Sequence, residues 1–190
     1  QQRSSAASDV YKRQDEAINE LKEDSFKNLE LEKNKFSKKV NLVFETDLEL
    51  MFPNNYINSS TERLKLYTQL NKICELDELN SFKLELTDRF GALPNVVVEL
   101  LNSLELRWLA AGLGFDKIVL KKNILISYMM NFNSDEQKKK LDKLFDYSNL
   151  NPNSISFSQK RLADGDRFIV KIKNIDSVSK AIKVLEDINT

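Results

Sequence analysis

The run Glu85-Leu86-Thr87-Asp88-Arg89-Phe90-Gly91-Ala92-Leu93-Pro94 reads as the joint between two helices, with a charged cluster placed at the joint. Glu85 and Arg89 are four residues apart, so on a helix they are surface neighbours, with the acid in the favourable N-terminal position. Asp88 falls on the same flank, within roughly 100° of arc at about 100° per residue. Gly91 can adopt the left-handed conformation that ends a helix, and Pro94 suits the first turn of the next. Those rules account for the glycine and the proline but not for the three charges. Two readings compete: a helix surface with one internal pair, worth roughly a few tenths of a kcal/mol, or an interface patch.

Upstream of the joint, Leu42 to Phe52 has the alternation of an extended segment at Leu48, Leu50 and Phe52, and Pro53-Asn54-Asn55 turns it. Tyr56 in that turn serves either as its anchor or as a contact residue. Ser59 and Glu62 form an S-x-x-E capping box ahead of Leu64, Tyr67, Leu70 and Ile73 (or Cys74). A second helix, capped by Asp77, points Leu79, Phe82, Leu86 and Phe90 inward. A third starts at Pro94, carries Val97, Leu100, Leu101, Leu104, Trp108 and Ala111, and stops at Gly112 or Gly114.

Downstream the apolar period changes from 3.6 to 2. Lys117–Leu120 and Ile124–Tyr128 flank Lys121-Lys122-Asn123 as a hairpin. Ser134 with Gln137 caps a helix carrying Leu141, Leu144 and Phe145. Ile155 and Phe157 begin a second hairpin, which turns at Asp164-Gly165 and returns through Phe168, Val170 and Ile172. Asp176 caps a last helix facing inward through Val178, Ala181, Ile182, Leu185 and Ile188. The expected fold is α+β: a helical front half of three helices, then two β-hairpins forming a small sheet with covering helices.

Residues 1–14 have no apolar period and read as a leader foreign to the rest; the chain is expected to be a fragment. Residues 15–22 read as the end of a helix through Ile18 and Leu21, and 23–41 as a Lys-, Glu- and Asn-rich linker. The main domain is expected over 42–190.

Composition narrows the chemistry. Basic and acidic residues cancel at 29 each among 190, so no global field draws the chain to nucleic acid or anionic lipid. One cysteine, Cys74, excludes an intrachain disulfide, and no apolar run approaches the roughly 20 residues of a membrane span; a cytoplasmic location is the default. With no histidine the commonest general base and metal ligand is absent. A lone cysteine on an apolar stripe reads as packing. None of the four glycines forms a phosphate-cradling loop. Glu75, Asp77 and Glu78 read as helix-end charges. Lys138-Lys139-Lys140 reads as a solvated helix face, without the interleaved aromatics that would support a free-standing nucleic-acid-binding module. No catalytic, cofactor-binding or metal-ligating residue is expected, and the chain is not expected to be an enzyme.

Four motifs, in order and in register, resemble one family. Asp15-Glu16-Ala17-Ile18-Asn19-Glu20-Leu21-Lys22, Phe52-Pro53-Asn54-Asn55-Tyr56-Ile57, Arg63-Leu64-Lys65-Leu66-Tyr67 and the 85–94 joint are similar to the DEAIxELK, xPxxYI, RLxxY and E-L-x-D-R-F-G-x-L-P signatures of the transcription-repair coupling factors (Mfd), bacterial ATP-driven DNA translocases. The resemblance is densest over 45–115 and rests on pattern alone after Gly114. It implies that 15–22 closes the motor and that 42–190 is a catalytically silent C-terminal domain. That domain would pack on the UvrB-like N-terminal module of the same protein and cover the surface that recruits UvrA. Glu85, Asp88 and Arg89 match the family's contact positions; Tyr56, Arg63, Phe90, Gly91 and Pro94 lie inside its motifs as interface or structural positions. RNA polymerase, DNA, ATP and magnesium would belong to the parent motor.

Overall fold

The computed structural model describes residues 42–130, 134–162 and 165–189. The expected leader, motor-helix end and linker lie outside the described residues, as does Asp164 of the second turn. A short strand, β1 (Val43–Thr46), leads through an extended segment into three helices, α1 (Ser60–Lys72), α2 (Leu76–Phe90) and α3 (Asn95–Gly112). The hairpin β2 (Lys117–Lys121) and β3 (Ile124–Met130), helix α4 (Asp135–Leu150), the hairpin β4 (Ile155–Leu162) and β5 (Gly165–Lys173), and helix α5 (Val178–Asn189) follow. The strands form one sheet in the order β1-β2-β3-β5-β4. The α+β expectation agrees with this architecture.

Local chemistry explains the element ends. Ser59 and Ser134 each accept a backbone N–H through Oγ, from Glu62 and Gln137. Gly114 has φ +85° and follows α3, where the Gly114 N–H reaches the Ala111 carbonyl and the Phe115 N–H reaches Ala110. That paired closure uses two otherwise orphaned carbonyls and is the Schellman arrangement. The first hairpin turns on Lys122 and Asn123, both at positive φ (53° and 59°), the geometry a two-residue turn needs to match strand twist.

Two hydrophobic clusters result. Phe52, Ile57, Leu66, Leu70, Leu79 and Phe82 meet Leu86, Val97, Leu100 and Leu101 in a helical core. The sheet core gathers the inward residues of β2, β3, β4 and β5 under α4 and α5, with Leu106 and Ala110 of α3. Helix α3 thus supplies both. Its Glu99 carboxylate reaches the start of α5, accepting the Val178 N–H at 2.5 Å and the Ser179 hydroxyl at 2.6 Å. Asn102 donates to Ser179 Oγ at 3.0 Å and accepts from Lys83 of α2 at 3.2 Å.

Several local expectations differ from the structure. Leu42–Phe52 forms a strand only at Val43–Thr46, and that strand joins the sheet in parallel with β2, which the hairpin pattern did not contain. In α1 the inward direction is set by Leu66 and Leu70, so Leu64, about 140° away round the helix, is 51% exposed. Cys74 falls beyond α1 and is half-buried rather than packed on its stripe. Glu75, not Asp77, takes the cap position of α2, and Asp77 sits in its first turn. In α3, Leu106 and Ala110 are fully buried while Leu104 and Trp108 are partly so, because the helix faces two cores. Phe145 is exposed on one side and packs its ring edge on Phe157 at 5.0 Å. Ser177 rather than Asp176 receives the Lys180 N–H at the start of α5. Among the described residues no helix is long and apolar enough to cross a membrane.

Replacing Glu99 with alanine strips the buried Val178 N–H of its acceptor. We expect a loss of about 1–3 kcal/mol, read as a lower midpoint in urea unfolding, with Glu99→Gln retaining part of it.

Candidate interaction surface at the helix joint

Helix α2 points Leu79, Phe82 and Leu86 into the helical core, which turns Leu84, Asp88 and Glu85 outward. At about 100° per residue, Leu84 and Asp88 are about 40° apart and Glu85 about 60° further round. Leu84 is 72% exposed. Asp88 is exposed and has no ion pair among the described residues.

Arg89 is differently placed. One guanidinium nitrogen donates to Glu85 at 2.8 Å, a second donates to Glu62 of α1, and its carbon lies 4.8 Å from the Phe90 ring centroid. The hydrogen bond to Glu62 first, then that to Glu85, raises its pKa, so it stays cationic under any ordinary condition. Glu62 also lies 4.0 Å from Lys65. Glu62, Glu85 and Arg89 are a quarter to two-fifths exposed and Lys65 more so, so water screens them and each pair contributes little to stability. The effect is positional: a planar cation is held at the seam of α1 and α2 between two carboxylates. Glu62 was not among the sequence-derived site residues. The sequence offered it as the far half of a capping box, but its side chain turns instead to Arg89, 27 residues away, and no local pattern signals that.

The other motif residues build the joint. The Tyr56 hydroxyl lies 3.2 Å from the Leu86 carbonyl and 3.1 Å from that of Gly91, tying the Pro53 turn to the end of α2; burial raises its pKa. Its ring meets Phe90 edge-on at 5.9 Å. Arg63 donates to the carbonyls of Ile57 at 2.6 Å and Asn58 at 3.2 Å, fixing the same loop from α1. Gly91 has φ +85° and ψ −164°, a region essentially restricted to glycine and not the left-handed helical one. Pro94 takes the cap position of α3, its carbonyl accepting from Val97 and Val98. Glu85, Asp88 and Arg89 thus share an exposed face, while Tyr56, Arg63, Phe90, Gly91 and Pro94 shape the backbone beneath it.

Beside this face an open groove between α1 and α2 is lined by Gln69, Ile73, Glu78, Phe82 and Glu85. Its shape is unlike the concave, largely enclosed pockets that hold small molecules. Among the described residues no group of acidic, cysteine or histidine side chains is arranged to hold a metal.

Removing the Tyr56 hydroxyl (Tyr56→Phe) should cost about 0.5–1.5 kcal/mol, whereas Arg89→Ala should cost less than Tyr56→Phe, because water screens its ion pairs. Urea titrations of the two variants check the contrast, and a larger loss for Arg89→Ala would make the ion triad a structural element.

Comparison with known proteins agrees with the motif reading. The family model described as the TRCF domain matches residues 46–142. The transcription-repair-coupling factor of Borreliella burgdorferi is 28% identical over 142 residues, covering 70% of this chain and 13% of that protein. That of Haemophilus influenzae is 35% identical over 78 residues, covering 39% and 7%. The chain therefore spans only a small part of the length of these relatives. Among solved structures, the C-terminal domain of a transcription-repair coupling factor superposes with a TM-score of 0.56, covering 79% of this chain and 92% of that one at 14% identity, a likeness of fold. With half its length matched by that model, the chain belongs to the TRCF domain family.

Proposed function

We propose that residues 42–190 form a non-catalytic, autoinhibitory interaction domain of a transcription-repair coupling factor. In this reading the domain clasps the UvrB-like N-terminal module of the same protein and masks its UvrA-recruiting surface. ATP and magnesium are handled by the motor of that protein, which also engages DNA and RNA polymerase. The observation that carries this reading is the exposed grouping of Glu85, Asp88 and Arg89 on one face of a braced helix joint, with Leu84 beside it. Asp88 offers a carboxylate with no ion pair among the described residues, and Arg89 is pre-positioned by Glu62 and Glu85. A face that is already ordered loses less entropy on docking.

The energetics suit a reversible clasp. A flexible tether gives an effective concentration of about millimolar. An interface with a Kd of about 10 µM is then closed about a hundredfold over open, or about 2.7 kcal/mol. Truncating one member of a buried charge pair costs about 2–5 kcal/mol, enough to open most of the population. The alternative of a free-standing nucleic-acid-binding module gains little from the lysine run, where Lys138 pairs with Asp135 and Lys140 with Glu136.

In the full-length protein, Asp88→Arg combined with Arg89→Glu should raise UvrA binding in the absence of motor stimulation, measured by pull-down or titration with purified UvrA. Unchanged UvrA affinity would remove the support for the clasp.

A further inference from the structure

The side of the sheet turned away from α4 and α5 carries its own pattern. Strand β3 lies between β2 and β5. Alternation sends Leu125, Ser127 and Met129 inward, and leaves Ile126 and Tyr128 half-buried on the open side, opposite Val119 of β2 and Ile169 of β5. This apolar strip has a lysine rail on each flank. Lys117 and Lys121 line the β2 side, and Lys171 and Lys173, both exposed, line the β5 side. A chain with no net charge has concentrated one sign here.

The two rails differ in one respect. On the β2 side, Glu45 of β1 accepts from Lys117 at 2.5 Å and from Lys121 at 3.1 Å. The Lys117 hydrogen bond, then that of Lys121, holds the Glu45 carboxyl below its ordinary pKa. On the β5 side, Lys171 and Lys173 have no ion pair among the described residues. Among the described residues, a carboxylate is thus seated on one rail and none on the other.

We infer that this open sheet face is a docking surface for an acidic amphipathic α-helix of a partner protein. The rails are two strand spacings apart, about 10 Å, which matches the diameter of a helix with its side chains, about 10–12 Å. β3 has seven residues, about 24 Å of strand at roughly 3.4 Å each, the length of about 16 helical residues. A helix laid along it places an apolar stripe on Ile126, Tyr128, Val119 and Ile169. Its bordering carboxylates meet Lys171 and Lys173, as Glu45 meets Lys117 and Lys121. A single nucleic-acid strand fits less well, because Tyr128 is the one aromatic on the strip and such strands are held by successive stacking platforms. A second copy of the chain would bring like charges together.

The surface is separate from the helix joint, so the test does not depend on the clasp. The probe is a synthetic helical peptide of about 16 residues with leucines along one face bordered by glutamates, alongside a twin with lysine in place of each glutamate. We expect the acidic peptide to bind the full chain in fluorescence anisotropy and the lysine twin not to. Lys171→Glu with Lys173→Glu should weaken the acidic peptide about tenfold or more and admit the lysine twin. Lys171→Gln with Lys173→Gln gives the same loss without charge reversal, and unfolding midpoints show that each variant is folded. Asp88→Arg should leave peptide binding unchanged. Equal binding of both peptides, no loss in the folded variants, tighter binding of an oligothymidine strand, or self-association of the wild-type chain each overturns the inference.

Discussion

Helix α3 serves two hydrophobic cores, and the relation between the helical half and the sheet half depends on it. Its first turns complete the core with Phe52, Leu66 and Leu86; its last turns complete the one beneath the sheet. A helix shared in this way could still roll between its two beds, since apolar contacts are non-directional. The Glu99 carboxylate supplies the missing direction by binding the first N–H and the first hydroxyl of α5. An acidic group at a helix N-terminus also meets the favourable end of the helix dipole. Asn102 and Lys83 extend the same network to α2, so the helix bearing the charged joint is referenced to the sheet through polar contacts as well as packing.

The joint shows how exposed charge can be ordered without being strongly stabilising. Arg89 is shared by Glu62, Glu85 and the Phe90 ring, each a weak contact in water. Beneath it, Tyr56 and Arg63 satisfy the carbonyls of a loop and a helix end that would otherwise be left to solvent. The backbone therefore owes little to the charges, and the charges owe their placement to the backbone. That division leaves the outward face free to be selected for recognition, because altering it disturbs little else.

Much of this was legible in the sequence, and the remainder fails for identifiable reasons. Turn and cap chemistry is local, so Ser59, Ser134, a helix stop at Gly112 or Gly114 and a turn within Lys121-Lys122-Asn123 could be placed from their neighbours alone, and the structure chooses Gly114 and leaves Lys121 in β2. Helix α5, with one apolar stripe and one core to face, is buried at all five expected positions. Helix α3 faces two cores, so a single-stripe reading captured Val97, Leu100 and Leu101 and missed Leu106 and Ala110. In α1, Leu64 and Leu66 both fit a helical period, and only tertiary contact chooses between them. Contacts between distant segments left no pattern: the parallel pairing of β1, the reach of Glu62 to Arg89, and the Glu99 bridge. The exposed motif charges were visible as an anomaly, since local rules gave no reason for them.

The parallel pairing of β1 has a consequence for the order of folding. Glu45 and its partner Lys117 are 72 residues apart in sequence, and the loop that joins them must close before either gains from the contact. Every pairing within the helical core and within the first hairpin spans a shorter stretch of chain. On a ribosome, the helices can assemble while the early strand still waits for a neighbour that has not been synthesised. Strand β1 therefore follows the helices, setting its four residues against β2 once that neighbour exists, and the still longer reach of Glu99 to the start of α5, across 79 and 80 residues, closes later again.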